Sequence, residues 1–576
     1  MFLQYYQDEL AWLREMGKEL SAARPDLARH LGEPGADPDV ERLLEGFAFL
    51  TGRVRQKLDD EFPELTHGML DMLCPHYLRP IPSLAILQCK PKPTMQAPGL
   101  VLPRGSLVES IPVDGTRCRF RTVADHPASP LELVGVDFVP GHPATLKLRL
   151  RAHPRRSAAE LAGKPLRVHL AGDPAVARAL HVALCHYRAT ATARSLGGNA
   201  AARTVAVDVR PAGLAEAEAA LPTPGGSFPG FRLLQEYLAF PERFAFVDVF
   251  GLDVAAGGAN EFELAIAFRE LPAAMPPVTT ANLLLDCVPI VNLFEHDADP
   301  IRAVAGRTEY RIRPAGTDPT HYEVHGVRTV AGRVRGSAEV QEYEPFFRFG
   351  PHDRRSGRFY QLRRLDAPNG VGSDLHLRLC NQDPGGWADL ETLSVDLLCT
   401  NRDLPTKLRP GEISKPGPET SAAFNFQSLG TPTAPVPPPL GDEVHWRLLA
   451  HLTLDVRRLA DVDSLRTALA LYDFRARVDR QAKRRLDNLL AAIERVEVQR
   501  GVELLDGVPI QGAVVRLHVD EAKAGSDGEV YLLGTVLGEF FAQHVTINSF
   551  ARLQVHCTGH REVFTWPARV GRKIAL

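Results

Sequence analysis

Three short clusters of histidine, cysteine and aspartate residues are the first places in this sequence to look for chemistry. The string EHDADPIR brings His296, Asp297 and Asp299 close together, as sites for hard metal ions sometimes do. Asp and Pro also favour turns, and Arg302 can neutralise the acids. The favoured interpretation of this cluster is therefore a turn, without a bound metal.

The other two clusters are weaker candidates for a site. HCTGH supplies His556, Cys557 and His560, but strand alternation places His556 and Cys557 on opposite faces of a sheet. Cys185 and His186 end a predicted helix, where a histidine interacts favourably with the terminal carbonyl groups. A catalytic Cys–His pair would also require a distant orienting group, which the sequence does not locate.

Motifs of known enzyme classes are missing from the sequence. It contains no Gly-x-Ser-x-Gly elbow, no His-Glu-x-x-His and no P-loop, and NGVGSDL lacks the third glycine of a phosphate cradle. The eight cysteines are scattered and never form Cys-x-x-Cys, which argues against a disulfide framework or a zinc ribbon. We predict no catalytic residues, no cofactor, no metal site and no enzymatic activity.

Composition limits the remaining classes of function. A chain of 576 residues is expected to form about three or four domains, and its formal charge of −3 does not favour a polyanion partner. The basic strings AKRRL and HDRRSGR have acids nearby, so nucleic-acid binding is not predicted. The start of the chain lacks a basic n-region, and no uncharged apolar run reaches ~18 residues. The sequence therefore predicts a cytoplasmic protein without membrane insertion.

A long helix near the start of the chain has well-marked ends. Asp37 is a predicted N-cap, Pro38 suits the first helical position, and Pro63 ends the run. One stripe at helical spacing is apolar, with Leu43 and Leu50 beside it, namely Val40, Leu44, Phe47, Thr51, Val54, Leu58 and Phe62. The stripe suits packing between the N-terminal helices or against a partner. A membrane surface is disfavoured because the polar face mixes arginine with acids.

Phe49 points away from that stripe, with Gly46 and Gly52 one turn to either side. Because glycine has no side chain, Gly46 and Gly52 would let a neighbouring backbone approach this second face closely. Packing of Phe49 against the chain's own sheets is the alternative. Our candidates for a partner interface on the N-terminal helices are Phe2, Tyr6, Leu13, Val40, Leu44, Phe47, Phe49, Val54 and Leu58.

Periodicity along the rest of the chain predicts an α+β multidomain fold with helices at the N-terminus, β-rich sandwich-like middle domains and a mixed α/β C-terminal domain. A linker is predicted where Pro, Gly, Ser and Thr accumulate. The predicted segments are 1–82 (assembly helices), 83–300 (mixed α/β with strand-helix units), 301–408 (sandwich-like), 409–441 (linker or extended arm) and 442–576 (α/β).

Five stretches in a fixed order resemble one known family. They are ERLLEGFAFLTGRVRQKLDDEFPEL with PHYLRPIPS, CVPIVNLFEHDADPIR, LLCTNRDLP, VTINSFARLQV and WPARVGR. In this order the chain resembles the type VI secretion system baseplate subunit TssF, also called VasA or ImpG, over nearly its whole length.

The resemblance implies a non-enzymatic wedge subunit of a phage-like contractile injection machine. Its implied partners are a TssG-like subunit, a second copy of itself, a TssK-like adapter, a TssE-like sheath initiator and a VgrG-like spike. Its implied location is cytoplasmic, docked at the inner membrane within a larger complex. The alternative is a carbohydrate-active or other hydrolytic enzyme, which would need paired carboxylates in a deep acidic cleft around Asp297 and Asp299.

Overall fold

The structure is a computed structural model, in which the chain divides into two compact units. The smaller unit includes Met1–Leu70, and the larger includes Asp71–Leu440 and Leu448–Leu576. The described residues are 2–24, 37–59, 63–196, 204–222, 229–253, 260–271, 275–304, 307, 309–316, 318, 320–334, 339–346, 358–367, 372–381, 391–440, 448, 461–505, 507–559 and 562–571.

Helices lie mainly at the two ends of the chain. The described α-helices are α1 (Phe2–Ala23), α2 (Pro38–Asp59), α3 (Pro63–Leu73), α4 (Pro174–Val182), α5 (Pro229–Ala239), α6 (Val462–Tyr472), α7 (Arg475–Val478), α8 (Arg480–Ala492), α9 (Glu521–Ala524) and α10 (Asp527–His544). The predicted cap at Asp37 is confirmed, and Asp173 caps α4 in the same way. Asp37 Oδ1 accepts from the Asp39 N–H at 3.1 Å, and Asp173 Oδ1 accepts from the Ala175 N–H at 2.8 Å.

A six-stranded sheet joins distant parts of the chain. Its order is β25 (Ile413–Pro416), β3 (Leu107–Val113), β4 (Thr116–Thr122), β15 (Cys287–Val291), β1 (Leu84–Pro91) and β26 (Phe424–Ser428). A separate pair consists of β2 (Val101–Leu102) and β5 (His126–Pro127).

The prediction of a linker or arm at 409–441 is wrong for the described residues of that segment. β25 and β26 form the two edges of the six-stranded sheet, and Ile413, Phe424 and Phe426 belong to its hydrophobic core. Composition misleads here because short strands gain most of their stability from the strands with which they pair. β25 pairs with β3, and β26 pairs with β1.

Two antiparallel sheets and α4 share the next hydrophobic core. One has the order β10 (Thr204–Ala206), β9 (Arg188–Ser195), β13 (Glu261–Phe268), β7 (Ala144–Ala152) and β6 (Leu131–Val139). The other has the order β11 (Asp208–Pro211), β12 (Phe246–Phe250), β8 (Leu166–Leu170) and β14 (Leu283–Leu284). β8 followed by α4 forms a strand-turn-helix unit.

A third core lies between two further sheets, as expected of a sandwich. One has the order β16 (Phe294–Asp297), β24 (Glu391–Thr400), β19 (Glu323–Val334) and β20 (Val340–Glu342), with β17 (Ile301–Ala303) also on β24. The other has the order β18 (Glu309–Arg311), β23 (Ser373–Asn381), β22 (Arg358–Asp366) and β21 (Glu344–Pro345).

The C-terminal sheet is built around α10. Its order is β27 (Ile493–Leu505), β28 (Val508–Val519), β29 (Phe550–Cys557) and β30 (Val563–Thr565), with β31 (Arg569–Val570) also on β29. β28 and β29 are parallel, so they need a crossover connection, and α10 supplies it. The predicted fold class, α+β with a helical start, β-rich middle and mixed C-terminal part, is confirmed.

Candidate assembly surface

Small residues bring α1 and α2 together as an antiparallel hairpin. A Cβ added at Gly52 would lie 3.2 Å from the Tyr6 backbone nitrogen, so the two backbones nearly touch. Ala48 is fully buried, and Leu10 is 8% exposed. We name this contact between α1 and α2 the seam. Two ion pairs border it, between Arg14 and Glu41 and between Arg55 and Glu9. The two helices therefore run antiparallel along the seam.

The large apolar side chains of α2 lie outside that seam. Phe47 is 57% exposed and Val54 is 60% exposed, and Leu43 and Leu50 beside them are also exposed. Packing of the N-terminal helices, one of the two roles that the sequence suggested for this stripe, is therefore wrong for Phe47 and Val54, whereas Val40 and Leu44 of the same stripe are partly buried. The reason is steric: small side chains let two helices approach more closely than a row of Phe and Leu.

A matching apolar stripe runs along α1 through Trp12, Met16 and Leu20, which are 58%, 44% and 46% exposed. At about 100° per residue, the two stripes are rotated in the same sense from the seam, by roughly 100° on α1 and roughly 150° on α2. In an antiparallel pair this rotation places both stripes on one side. We name this surface the apolar hairpin face, formed by Trp12, Met16, Leu20, Leu43, Phe47, Leu50 and Val54.

The other interface candidates occupy different positions. Tyr6, Leu13, Val40 and Leu44 are partly buried near the seam. Phe49 is 45% exposed on the opposite flank of α2. The side chains of Phe2 and Leu58 lie outside the described part of the structure.

The glycines around Phe49 behave differently from each other. Nothing lies within 4 Å of a Cβ added at Gly46, whereas Gly52 faces α1. Of these two glycines, only Gly52 lies close to another backbone of this chain, and that backbone belongs to α1.

The histidine and aspartate residues of EHDADPIR lie where a strand ends. The His296 ring hydrogen-bonds through Nε2 with the Ala315 carbonyl at 2.9 Å and stacks on Tyr322. Asp297 and Asp299 are exposed, so the deep acidic cleft needed by a glycosidase is not formed around them by the described residues. Among those residues, no group of three or more metal ligands was found.

Cys185 and His186 have structural partners in the larger unit. Burial raises the pKa of the Cys185 thiol to about 12, which keeps it protonated and unreactive at neutral pH. His186 Nε2 lies 2.7 Å from Glu562 Oε1 and is also close to Arg269. Burial lowers the pKa of His186, although the hydrogen bond to Glu562 opposes this. The Cys185 thiol therefore does not provide the thiolate that a nucleophile needs.

His556 and Cys557 lie on opposite faces of β29, as strand alternation predicts. Cys557 is buried, and His556 stacks on His518 with ring centroids 5.0 Å apart. His560 and Gly370, the remaining members of the strings considered for chemistry, lie outside the described residues.

Two of the strings behind the family resemblance meet in one buried contact. The Asn292 amide donates to Asn401 Oδ1 at 2.9 Å and to the Arg119 carbonyl at 2.8 Å, and the Asn401 N–H donates back to Asn292 at 2.7 Å. Both asparagines are fully buried. This pair ties the six-stranded sheet to the end of β24, which explains why these strings carry asparagine.

This multi-sheet fold is that of a baseplate protein of the type VI secretion system. One similar solved structure is described as the type VI secretion system TssK-TssF-TssG baseplate subcomplex. Its TM-score is 0.74 at 31% identity, covering 93% of this chain and 100% of that chain. A second, described as the baseplate complex from the type VI secretion system, has a TM-score of 0.63 at 29% identity and covers both chains fully.

The sequence comparisons identify the particular family. The family model "Type VI secretion system, TssF" matches residues 1–573, so the chain belongs to the TssF family. A similar curated protein, type VI secretion system component TssF1 of Pseudomonas aeruginosa, is 31% identical over 626 aligned residues, which cover 99% of each protein. The resemblance given by the five sequence stretches is thereby confirmed.

Proposed function

We propose that this baseplate subunit is a non-enzymatic scaffold that joins its wedge through the apolar hairpin face. One observation carries the proposal: seven large apolar side chains, each at least 44% exposed, lie on the two helices of the hairpin, outside the seam. An exposed apolar surface of this kind marks an interaction site. Trp12 and Phe47 are the aromatic anchors that the centre of an interface favours.

The partners follow from the family. One similar structure is described as a TssK-TssF-TssG baseplate subcomplex. A TssG-like helix, together with the hairpin of a second copy of this chain, is the occupant that we assign to the apolar hairpin face. TssK-like, TssE-like and VgrG-like subunits contact the larger unit in this scheme. The wedge assembles in the cytoplasm and docks at the inner membrane. Among the helices described, none combines the length and apolar character that a membrane span requires.

The absence of catalysis belongs to the same proposal. Asp297 and Asp299 are exposed, the Cys185 thiol is buried and protonated, and His296 contacts a backbone carbonyl, which supports a structural interpretation of these clusters. No observation favours the hydrolytic alternative.

The charge-insertion variant Phe47→Asp tests the proposed interface. Phe47 is 57% exposed in the single chain, so we expect the variant to fold with an unchanged melting temperature. A carboxylate forced into a desolvated contact should cost at least about 2 kcal/mol of binding free energy, or roughly 30-fold in affinity. The measurement is co-purification of the chain with its TssG-like partner, beside a melting curve for each variant.

Two further variants make the result specific. Val508→Asp is the matched control, because Val508 is also 57% exposed but lies in the hairpin of β27 and β28. Phe49→Asp tests the opposite flank of α2. Undiminished co-purification of Phe47→Asp would refute the assignment of the apolar hairpin face, whereas loss with Phe49→Asp alone would move the interface to that flank.

A further inference from the structure

A small cavity of about 10 Å³ lies inside the larger unit, where helical and sheet elements meet. His76 reaches it from the 3₁₀ helix Pro75–Leu78, His325 from β19 and Gln235 from α5. Its lining consists of His76, Arg79, Pro80, Leu221, Pro222, Gln235 and His325. This volume is about the minimum that an internal water molecule needs.

Three buried side chains bring unpaired polar atoms to this cavity. His76, Gln235 and His325 are 5%, 1% and 2% exposed. His76 Nε2 and Gln235 Oε1 form no hydrogen bond with the described residues. The Pro80 carbonyl faces His325, yet neither ring nitrogen of His325 makes a hydrogen bond of ordinary geometry there. Buried polar atoms in folded proteins are almost always paired, with protein groups or with ordered water.

Both histidines of the cavity are uncharged at neutral pH. Burial, reinforced by Arg79 and Arg232, lowers the pKa of His76 to about 3. Burial, with Arg79, Arg364 and Arg121, lowers the pKa of His325 well below its ordinary value. Each neutral imidazole presents one N–H donor and one acceptor nitrogen, and Gln235 Oε1 is an acceptor. A water molecule can donate twice and accept twice, so it can satisfy all three groups.

We propose that one ordered water molecule binds in this cavity and bridges His76, Gln235 and His325. Three hydrogen bonds are the usual number for an internal water. The bound water would link the segment after α3, the sheet of β19 and α5.

The direct test is an experimental density map of the full chain at a resolution that resolves ordered water. We expect one peak within about 2.6–3.2 Å of Gln235 Oε1 and of a ring nitrogen of His76 or His325. A cavity without density would overturn the proposal. A bromide soak separates water from a halide: anomalous density at the site would also overturn it, because the ligand would then be an anion.

Gln235→Met provides a second measurement. Methionine keeps a similar volume but removes the oxygen on which the water depends. If the water is bound, the variant should lose that density and melt at a lower temperature than the native chain. A raised melting temperature would show that Gln235 Oε1 is buried without a hydrogen bond to water, and would contradict the proposal. The density map of the native chain remains decisive if the variant does not fold.

Discussion

At the scale of single residues, a buried carboxylate joins helices that are far apart in sequence. Glu529 on α10 is 4% exposed. Arg178 Nε on α4 lies 2.7 Å from it, Arg485 Nε on α8 lies 3.1 Å away, and the Tyr237 hydroxyl of α5 lies 3.4 Å away. One side chain thus connects four helices. Sequence patterns do not predict this cluster, because nothing local to Glu529 indicates partners so distant in the chain.

Glu529→Gln should destabilise the larger unit by about 3–5 kcal/mol, the usual range when one partner of a buried ion pair is removed. The change leaves two arginines near a neutral amide in a desolvated place. Denaturant unfolding of the isolated chain measures the effect. The matched control is Glu261→Gln, since Glu261 pairs with Arg151 at 2.5 Å but about half of each side chain is exposed. Equal effects of the two changes would contradict the account.

Asp473 gives the molecule a predictable dependence on pH. Burial raises the pKa of this carboxyl from 3.8 to about 6, although the Ala476 N–H donates to it at 2.9 Å. Because the folded-state pKa is the higher one, the folded state holds the proton more tightly. The contribution of Asp473 to stability therefore falls as pH rises from about 4 to about 6, and the deprotonated group remains unfavourable at neutral pH.

Asp473→Asn keeps an oxygen for Ala476 and removes the buried charge. It should raise the free energy of unfolding at pH 7 by about 2–3 kcal/mol, at 1.36 kcal/mol per pKa unit, and the gain should vanish below about pH 4. The control is Asp479→Asn. The Gln481 N–H lowers the pKa of Asp479, so this change should instead reduce stability at pH 7. A gain from Asp473→Asn that is constant from pH 4 to 7 would contradict this explanation.

At the scale of elements, glycines decide how helices pack. On α10 a Cβ added at Gly534 would lie 2.2 Å from the Trp566 ring, whereas one added at Gly538 would lie 3.8 Å from Trp566. The indole N–H of Trp566 donates to Thr535 Oγ1 at 3.1 Å, which fixes the ring. Trp566, the tryptophan of the string WPARVGR, thus has a structural role, because its ring packs against α10.

Gly534→Ala should lower stability by about 1–3 kcal/mol, the cost of overpacking a core. Gly538→Ala, one turn further along the same helix, should raise stability by up to about 1 kcal/mol, because alanine is the better helix former. Thermal unfolding of the two variants side by side measures the difference. If both changes stabilise the chain, the contact between Trp566 and α10 is looser than the structure indicates.

Some elements of this fold can be predicted from residues that are adjacent in the sequence, and others cannot. Asp37, Asp173 and the prolines after them mark helix starts because a cap depends on adjacent residues. β25 and β26 were missed because their pairing partners lie far earlier in the chain. The stripe through Phe47 was predicted, but the seam was not. Helical period identifies an apolar face, whereas the small side chains at Ala48 and Gly52 determine which face meets α1.

At the scale of the whole molecule, the chain presents an apolar hairpin face on one unit and a large sheet-rich body in the other. The central claim is that this TssF-family chain functions by assembly. The most direct measurement is native mass spectrometry of the 63.2 kDa chain mixed with the TssG-like subunit of the same organism. We expect one species that contains two copies of this chain and one TssG-like subunit, and its loss with Phe47→Asp. Separate masses for the two native proteins would contradict the account.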